Sequence, residues 1–409
     1  MELKSRYQYT YFIHTYIIEQ GKYNKYIAKL LKDKNFNLKI FRKVKDLELY
    51  TYFLPNIRSF LFKTFELNKS KIDKLEELPF ETKVAVLADY PCLTFEYDLK
   101  KDMQGKTIDE NSIFFKIQKV GVICFNTGIC FLYFKTNIEE SNRFADVLNF
   151  NYKFKDINQE YEVLKKYENI KVQADCFDNM REIRDFISEI TGPNFDALKL
   201  NLDVERFYTF GYECIDQSNW SSEQDFENIK DEFLKYINII SNDKVVKLSE
   251  NRNIRVISEE AYSKIGISKM GVNLFSSDVD INNYTVLPHQ YENQYFYTYI
   301  LTLYLKIYLK KINYEFVKNK NIKKARQDFV DFTKKIWIQE ITSEDFGSLF
   351  YNNLINVLEI ENLYNQVKSK YDILYRELKI DKTEKLSIFI ATTLVVTLVL
   401  NILNWLNLL

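Results

Sequence analysis

Residues 385–409, KLSIFIATTLVVTLVLNILNWLNLL, decide how the rest of this chain is read. From Leu386 to Leu409 no side chain is charged over 24 residues. At about 1.5 Å per residue, a helix of that length crosses a hydrocarbon layer of about 30 Å. Arg376, Lys379, Lys382 and Lys385 lie on its N-terminal flank. Positive flanks face the cytosol, so the reading is a tail-anchored chain with its N-terminal bulk in the cytosol.

The same stretch carries Thr392, Thr393, Thr397, Asn401, Asn404 and Asn407, which solubility in lipid does not require. On a helix with Thr393 at zero, Asn404 falls near about 20°, Thr397 near 40°, Asn401 near 80° and Asn407 near −40°. Five of these six residues therefore share roughly one third of the circumference. Val395, Leu398, Val399, Ile402, Leu403 and Leu406 form the opposite face. A lone helix gains nothing by turning amides and hydroxyls toward lipid. Several copies around an axis can turn them inward, as inter-helix hydrogen bonds or as the wall of a watery pore. A plain anchor, with threonines satisfied locally and asparagines in the headgroup zone, is the alternative. In a pore, Thr393, Thr397, Asn401 and Asn404 would line the path, and Lys382, Glu384 and Lys385 would stand at its mouth.

Upstream lies a helical region. In TSEDFGSLFYNNLINVLEIENLYNQVKSKYDILYRELK (342–379), Thr342 and Asp345 resemble a capping box. Val357, Ile360, Tyr364, Val367, Tyr371, Leu374 and Leu378 follow at 3-4 spacing. Tyrosines suit a dimer seam poorly, so the stripe packs either a wider bundle of stalks or the chain's own helices. NQYFYTYILTLYLKIYLKKINYEFV (293–317) is apolar, but Lys306, Lys310 and Lys311 leave its uninterrupted part too short to span, so it reads as a buried core helix. KKARQDFVDFTKKIWIQEI (323–341) sets Phe329, Phe332 and Ile336 on one face.

The first ~285 residues alternate differently. SIFFKIQKVGVICFNTGICFLYFKT (112–136) is two β-rich runs around Asn126-Thr127-Gly128, a hairpin apolar on both faces and therefore central and covered on both sides. YQYTYFIHTYIIEQ (7–20), NLKIF (37–41), DLELYTYF (46–53), CLTFEYDL (92–99) and RFYTFGYECI (206–215) are further strand candidates. Helices are expected near 22–32, 56–66, 70–78, 140–149, 178–190 and 222–240, and ITGPNF (190–195) is the best internal boundary. Irregular alternation of strands and helices points to α+β. The expected organisation is an α+β domain over 1–285, a helical stalk over 286–380 and one transmembrane helix over 386–409.

Composition excludes several functions. The 57 basic side chains balance 57 acidic ones, so no global field holds duplex nucleic acid. Five cysteines without a CxxC pair and only two histidines offer no zinc set, and no other metal or cofactor is expected. MQGKT (103–107) ends like a phosphate loop, but Lys100 replaces the required glycine. DVDINN (278–283) begins like a calcium loop, but Asn283 and His289 replace the turn glycine and the bidentate glutamate. No nucleophile motif is present, so the chain does not read as an enzyme. The one positive ligand candidate is NTGICFLYFKTNIEESNRFADVLNFNYKF (126–154), which sets Asn126, Thr127, Arg143, Asn149 and Asn151 near strand ends and a helix start. Arg143 could meet a phosphate or carboxylate there. Turn and cap roles are the plainer reading of the same residues.

The domain order, and most specifically FTKKIWIQEITSEDFGSLFYNNLINVLEIENLYNQVKSKYDILYRELKIDKTEKLSIF (332–389), resembles the CorA family of membrane ion channels. The hairpin and helix at 112–154 resemble CorA-like effectors of bacterial antiviral, CRISPR type III-like, systems. The family's Gly-Met-Asn signature is absent, the KMG at 269–271 lies far upstream, and one span stands where the family has two. Magnesium selectivity therefore does not carry over. With one span per chain, four or five copies would supply the wall, so a homo-oligomer, tetramer or pentamer, is expected, in the bacterial plasma membrane. The resemblance further implies a cytosolic domain that binds a nucleotide second messenger, such as SAM-AMP or a cyclic oligonucleotide, and opens the membrane to ions. The alternatives are a tail-anchored scaffold without a pore, a divalent-cation transporter and a tethered hydrolase.

Overall fold

The computed structural model describes residues 2–107, 113–139, 141–157, 170–192, 199–203, 205–246, 254–318, 322–337 and 340–405. The expected boundary at 190–195 lies partly outside these, as do Leu406 and Asn407. The chain forms two compact units, Met1–Tyr308 with Ile338–Ile360, and Leu309–Trp337 with Glu361–Leu409.

The first unit is built on one sheet of twelve strands. In chain order these are β1 (Ser5–Ile17), β2 (Phe36–Leu38), β3 (Cys92–Tyr97), β4 (Met103–Lys106), β5 (Phe114–Phe125), β6 (Ile129–Asn137), β7 (Lys171–Gln173), β8 (Arg181–Glu182), β9 (Tyr208–Ile215), β10 (Arg255–Ile257), β11 (Ser263–Ile267) and β12 (Gly271–Ser277). The spatial order is β10-β11-β12-β9-β1-β6-β5-β4-β7-β8, with β3 also on β5 and β2 on β3. Every pairing between these strands is antiparallel except β9 with β12.

The apolar hairpin and the N-terminal strand sit at the centre, as two-sided hydrophobicity requires. Ile123, Phe125, Phe131, Leu132 and Phe134 are fully buried. The turn between β5 and β6 needs its glycine twice over. Gly128 has φ +85°, and a Cβ there would lie 2.2 Å from the Ile18 carbonyl oxygen.

Helices cover both faces. On one face Phe12 meets Phe150 and Phe154 of α2 (Phe144–Phe154), after α1 (Tyr23–Lys32) in the chain. Phe134 meets Phe186 of α3 (Ile183–Thr191), and Phe275 meets Phe233 and Tyr236 of α4 (Lys230–Asn238). On the other face Phe210 stacks on Tyr291 at 4.1 Å, and Phe125 stacks on Tyr304 of α5 (Phe296–Lys318) at 3.9 Å. The 293–317 stretch is thus a core helix over its first half, where Ile300, Leu301, Leu303 and Leu305 are fully buried. A π-helical turn over Tyr291–Tyr295 leads into it. Glu292 in that turn accepts a hydrogen bond from Tyr11 and an ion pair from Lys135 at 2.6 Å, which lock the turn to β1 and β6.

Residues 46–53 are a helix, Leu47–Tyr52, and not a strand. A strand would put Leu47 and Leu49 on one face, whereas Leu49 is buried and Leu47 is 56% exposed. The stretch fits both periods, and burial of Leu49 and Tyr52 three residues apart decides for the helix. MQGK is a strand, and Gly105 lets the Phe115 ring lie against the backbone. DVDINN is a turn closed by buried Asn283, whose amide donates to three carbonyls.

Residues 342–379 are likewise broken. The helix α7 (Asp345–Val357) ends before Glu359, which takes φ +58°, and α8 (Ile360–Trp405) follows. Val357 therefore belongs to a different helix from the rest of the expected stripe. In the second unit that stripe faces the chain's own residues. Tyr364 stacks on Trp337 at 4.3 Å and meets Phe329 of α6 (Ile322–Asp331), which also meets Tyr371. Val367, between the two tyrosines in sequence, is fully buried. Phe329, Phe332 and Ile336 are buried, as their shared face predicts, although the helix widens to a π-turn over Phe332–Ile336. Of the two packings the stripe allowed, its first part, Tyr364, Val367 and Tyr371, meets the chain's own helices.

Candidate functional site

The last part of α8 is one candidate. Lys385–Leu403 is long and apolar enough to cross a membrane, and none of it is buried. Leu386, Phe389, Leu394, Val395 and Leu398 are each more than half exposed, so apolar side chains face outward all round. Thr393 donates to the Phe389 carbonyl at 2.8 Å and Thr397 to the Thr393 carbonyl at 2.8 Å. Thr392 does the same to Ile388. These hydroxyls find acceptors inside their own helix, which removes most of their cost in an apolar solvent. Asn401 differs, because a carboxamide carries both donors and an acceptor, and a helix has only carbonyls to offer it. Asn401 and Lys385 are exposed; the side chains of Asn404, Lys382 and Glu384 lie outside the described residues.

The residues expected to bind a ligand fall in three places. Asn126 and Thr127 form the β5–β6 turn beside Ile18, with Thr127 close to the Tyr304 hydroxyl. Arg143 pairs across from Lys4 at the other end of β1. Those ends are separated by a strand of 13 residues, or about 40 Å. Asn151 is buried on α2, and neither its amide oxygen nor its nitrogen has a hydrogen-bond partner. Asn149, on another side of α2, accepts from Ser241 and from the Asn242 backbone, each at 3.0 Å. One constellation of Asn126, Thr127, Arg143 and Asn151 is therefore not formed.

Arg143 and Asn149 do share a cleft of about 560 Å³ with Ser141, Asp146 and Lys153. Arg143 is held there by Glu2 at 2.6 Å, and Asp146 accepts from Ser141. A second cleft, of about 330 Å³, opens where β9 begins, β11 turns into β12 and α4 ends. Lys155, Arg206 and Lys269 reach it from three segments, with Thr209, Ser268 and Met270. Lys155 donates to the Ile239 carbonyl at 3.1 Å, Arg206 pairs with Asp156 at 3.1 Å, and Lys269 pairs with Glu359 at 2.7 Å. Sequence reasoning missed this cleft, since its cations are single residues far apart in the chain.

Buried polar groups gather on the face of β9 and β12 that α4 covers. Glu213 is fully buried and neither carboxyl oxygen has a hydrogen-bond partner. Burial pushes its pKa well above the carboxylate range, and the nearby Ser5 hydroxyl offsets only part of that. Tyr236 is pushed up first by burial and then by Glu213. Its hydroxyl and the Asn273 Oδ1 approach Gly211, where a Cβ would lie 2.6 Å from each.

No protein-family model, curated protein or solved structure matches this chain.

Proposed function

We propose that this chain is a membrane-anchored effector that self-associates through the C-terminal part of α8. The observation that carries the reading is the helix Lys385–Leu403, none of it buried, mostly apolar and with Thr393, Thr397 and Asn401 gathered on one stripe. The basic flank would keep the sheet domain on the cytosolic side of a bacterial plasma membrane. Copies gathered as a tetramer or pentamer would turn Asn401 and Asn404 toward a common axis, with Lys382, Glu384 and Lys385 at the entrance. In this reading the sheet domain senses a small nucleotide-type signal and the gathered helices pass ions, a role that suits antiviral defence of the CorA-like kind. That last element rests on the layout of the chain alone.

A second reading, a non-conducting tether that holds a partner at the membrane, is favoured by the threonine back-bonds. They make the stripe less costly in lipid than its composition suggests. Ion flux from liposomes separates the two. Joint Asn401→Leu and Asn404→Leu substitution is expected to abolish flux while membrane insertion persists. Undiminished flux in that variant, or none in the parent under any ligand condition, would remove the pore.

A further inference from the structure

We propose that the cleft of Lys155, Arg206 and Lys269 binds a small phosphate-bearing molecule, whose anion draws Lys269 away from Glu359 at the start of α8. Among the described residues no carboxylate lines this cleft, while three cations reach it from separate segments. Each cation already has partners: Lys155 the Ile239 carbonyl and the Tyr152 ring, Arg206 the carboxylates of Asp156 and Asp203 at 3.1 and 3.9 Å, and Lys269 the carboxylate of Glu359. Both carboxylates of Arg206 meet its Nε, which leaves its two terminal amino groups for a ligand, and Lys269 has three N–H groups beside one carboxylate partner. Three positive charges, one of them a planar fork, match the several oxygens of a phosphate better than a single carboxylate.

The floor of the cleft carries an independent sign of a ligand. Thr209 is 1% exposed, and its hydroxyl has no hydrogen-bond partner. A buried hydroxyl left unmatched is costly, and an oxygen acceptor in the cleft would satisfy it. Gly271 keeps that hydroxyl open, since a Cβ there would stand 2.0 Å from it. The volume, about 330 Å³, admits a phosphate with a modest body attached.

Glu359 gives the site a consequence. It is a non-glycine residue with φ +58°, the conformation that ends α7, and the next residue opens α8. Its carboxylate is held by Lys269 from the β11–β12 turn. An anion in the cleft competes with Glu359 for that ammonium, so occupancy and the α7–α8 junction are linked through one ion pair. The binding step stands apart from conduction; its effect on α8 rests on the function proposed above.

Titration of inorganic pyrophosphate into the full chain in detergent micelles, at fixed ionic strength and read by calorimetry, tests the site. Arg206→Gln and Lys269→Gln are each expected to weaken binding about tenfold, as loss of a charged hydrogen bond does. Glu359→Gln, which removes the competitor, is expected to tighten it several-fold. Thermal melting of each variant reports whether the fold is kept. Pyrophosphate that fails to bind both the parent and Glu359→Gln would overturn the proposal, as would binding indifferent to Arg206 and Lys269. Weaker binding by a folded Glu359→Gln variant would overturn the competition. Binding as expected, with no change of liposome flux, would sink the link from the cleft to α8 and leave the cleft assigned.

Discussion

Gly211 and Glu213 stand two residues apart on β9 and place different demands on the core. Gly211 exists as glycine because the Tyr236 hydroxyl and the Asn273 amide oxygen occupy the space of a side chain. Gly211→Ala is expected to cost about 1–3 kcal/mol through overpacking, read as a lower urea midpoint. Glu213 and His14 bring two opposed pH dependences. His14 is fully buried, and burial lowers its pKa from 6.5 to about 4. The unfolded chain then binds the extra proton between those values, so stability is whole above about 6.5 and falls as pH drops toward 4, by about 3 kcal/mol in all. Glu213 works the other way. It stays protonated in the fold, the unfolded chain ionises above about 4.5, and stability therefore falls as pH rises from there. Urea midpoints across pH 5 to 8 are expected to lose the acid limb in His14→Phe and the alkaline decline in Glu213→Gln. An unchanged profile in either variant would contradict its assignment.

Helices and strands were legible where the apolar run was long. The strand candidate at 7–20, found at Ser5–Ile17, the 112–136 hairpin and the 293–317 core helix all carry long apolar runs. The strands β4, β7, β8 and β10–β12 were not legible. They are short or rich in glycine and serine, such as GVNLFSS, and form because β9 and its neighbours supply a partner edge. The heptad stripe of α8 shows the complementary limit. Its spacing was plain, but which surface it meets depends on Trp337 and Phe329, which lie about one helix away in sequence. Tyr364→Ala is expected to cost about 1–3 kcal/mol and to loosen the second unit locally. Hydrogen exchange should quicken over 322–337 and stay slow in β5 and β6. Equal acceleration in both would mean that the ring stack does not act locally.

For the molecule as a whole, the decisive feature is one long apolar helix, Lys385–Leu403, with none of its length buried. Every side chain from Leu386 to Ile402 is exposed, and water is a poor solvent for such a surface. A chain cut after Thr383 is expected to move from the membrane fraction to the aqueous phase and to keep the melting transition of its sheet domain. Retention in the membrane would point to a second anchoring surface.

Periodicity and length alone therefore established an α+β sheet domain, a helical C-terminal region and a helix able to span a bilayer, since these depend on neighbours within a turn or two. Burial of Glu213, the unpartnered Thr209 hydroxyl and the meeting of Lys155, Arg206 and Lys269 were decided by the fold. Such groups come from strands and turns up to a hundred residues or so apart, and only the register of β1, β9 and β12 sets which of them share a cleft.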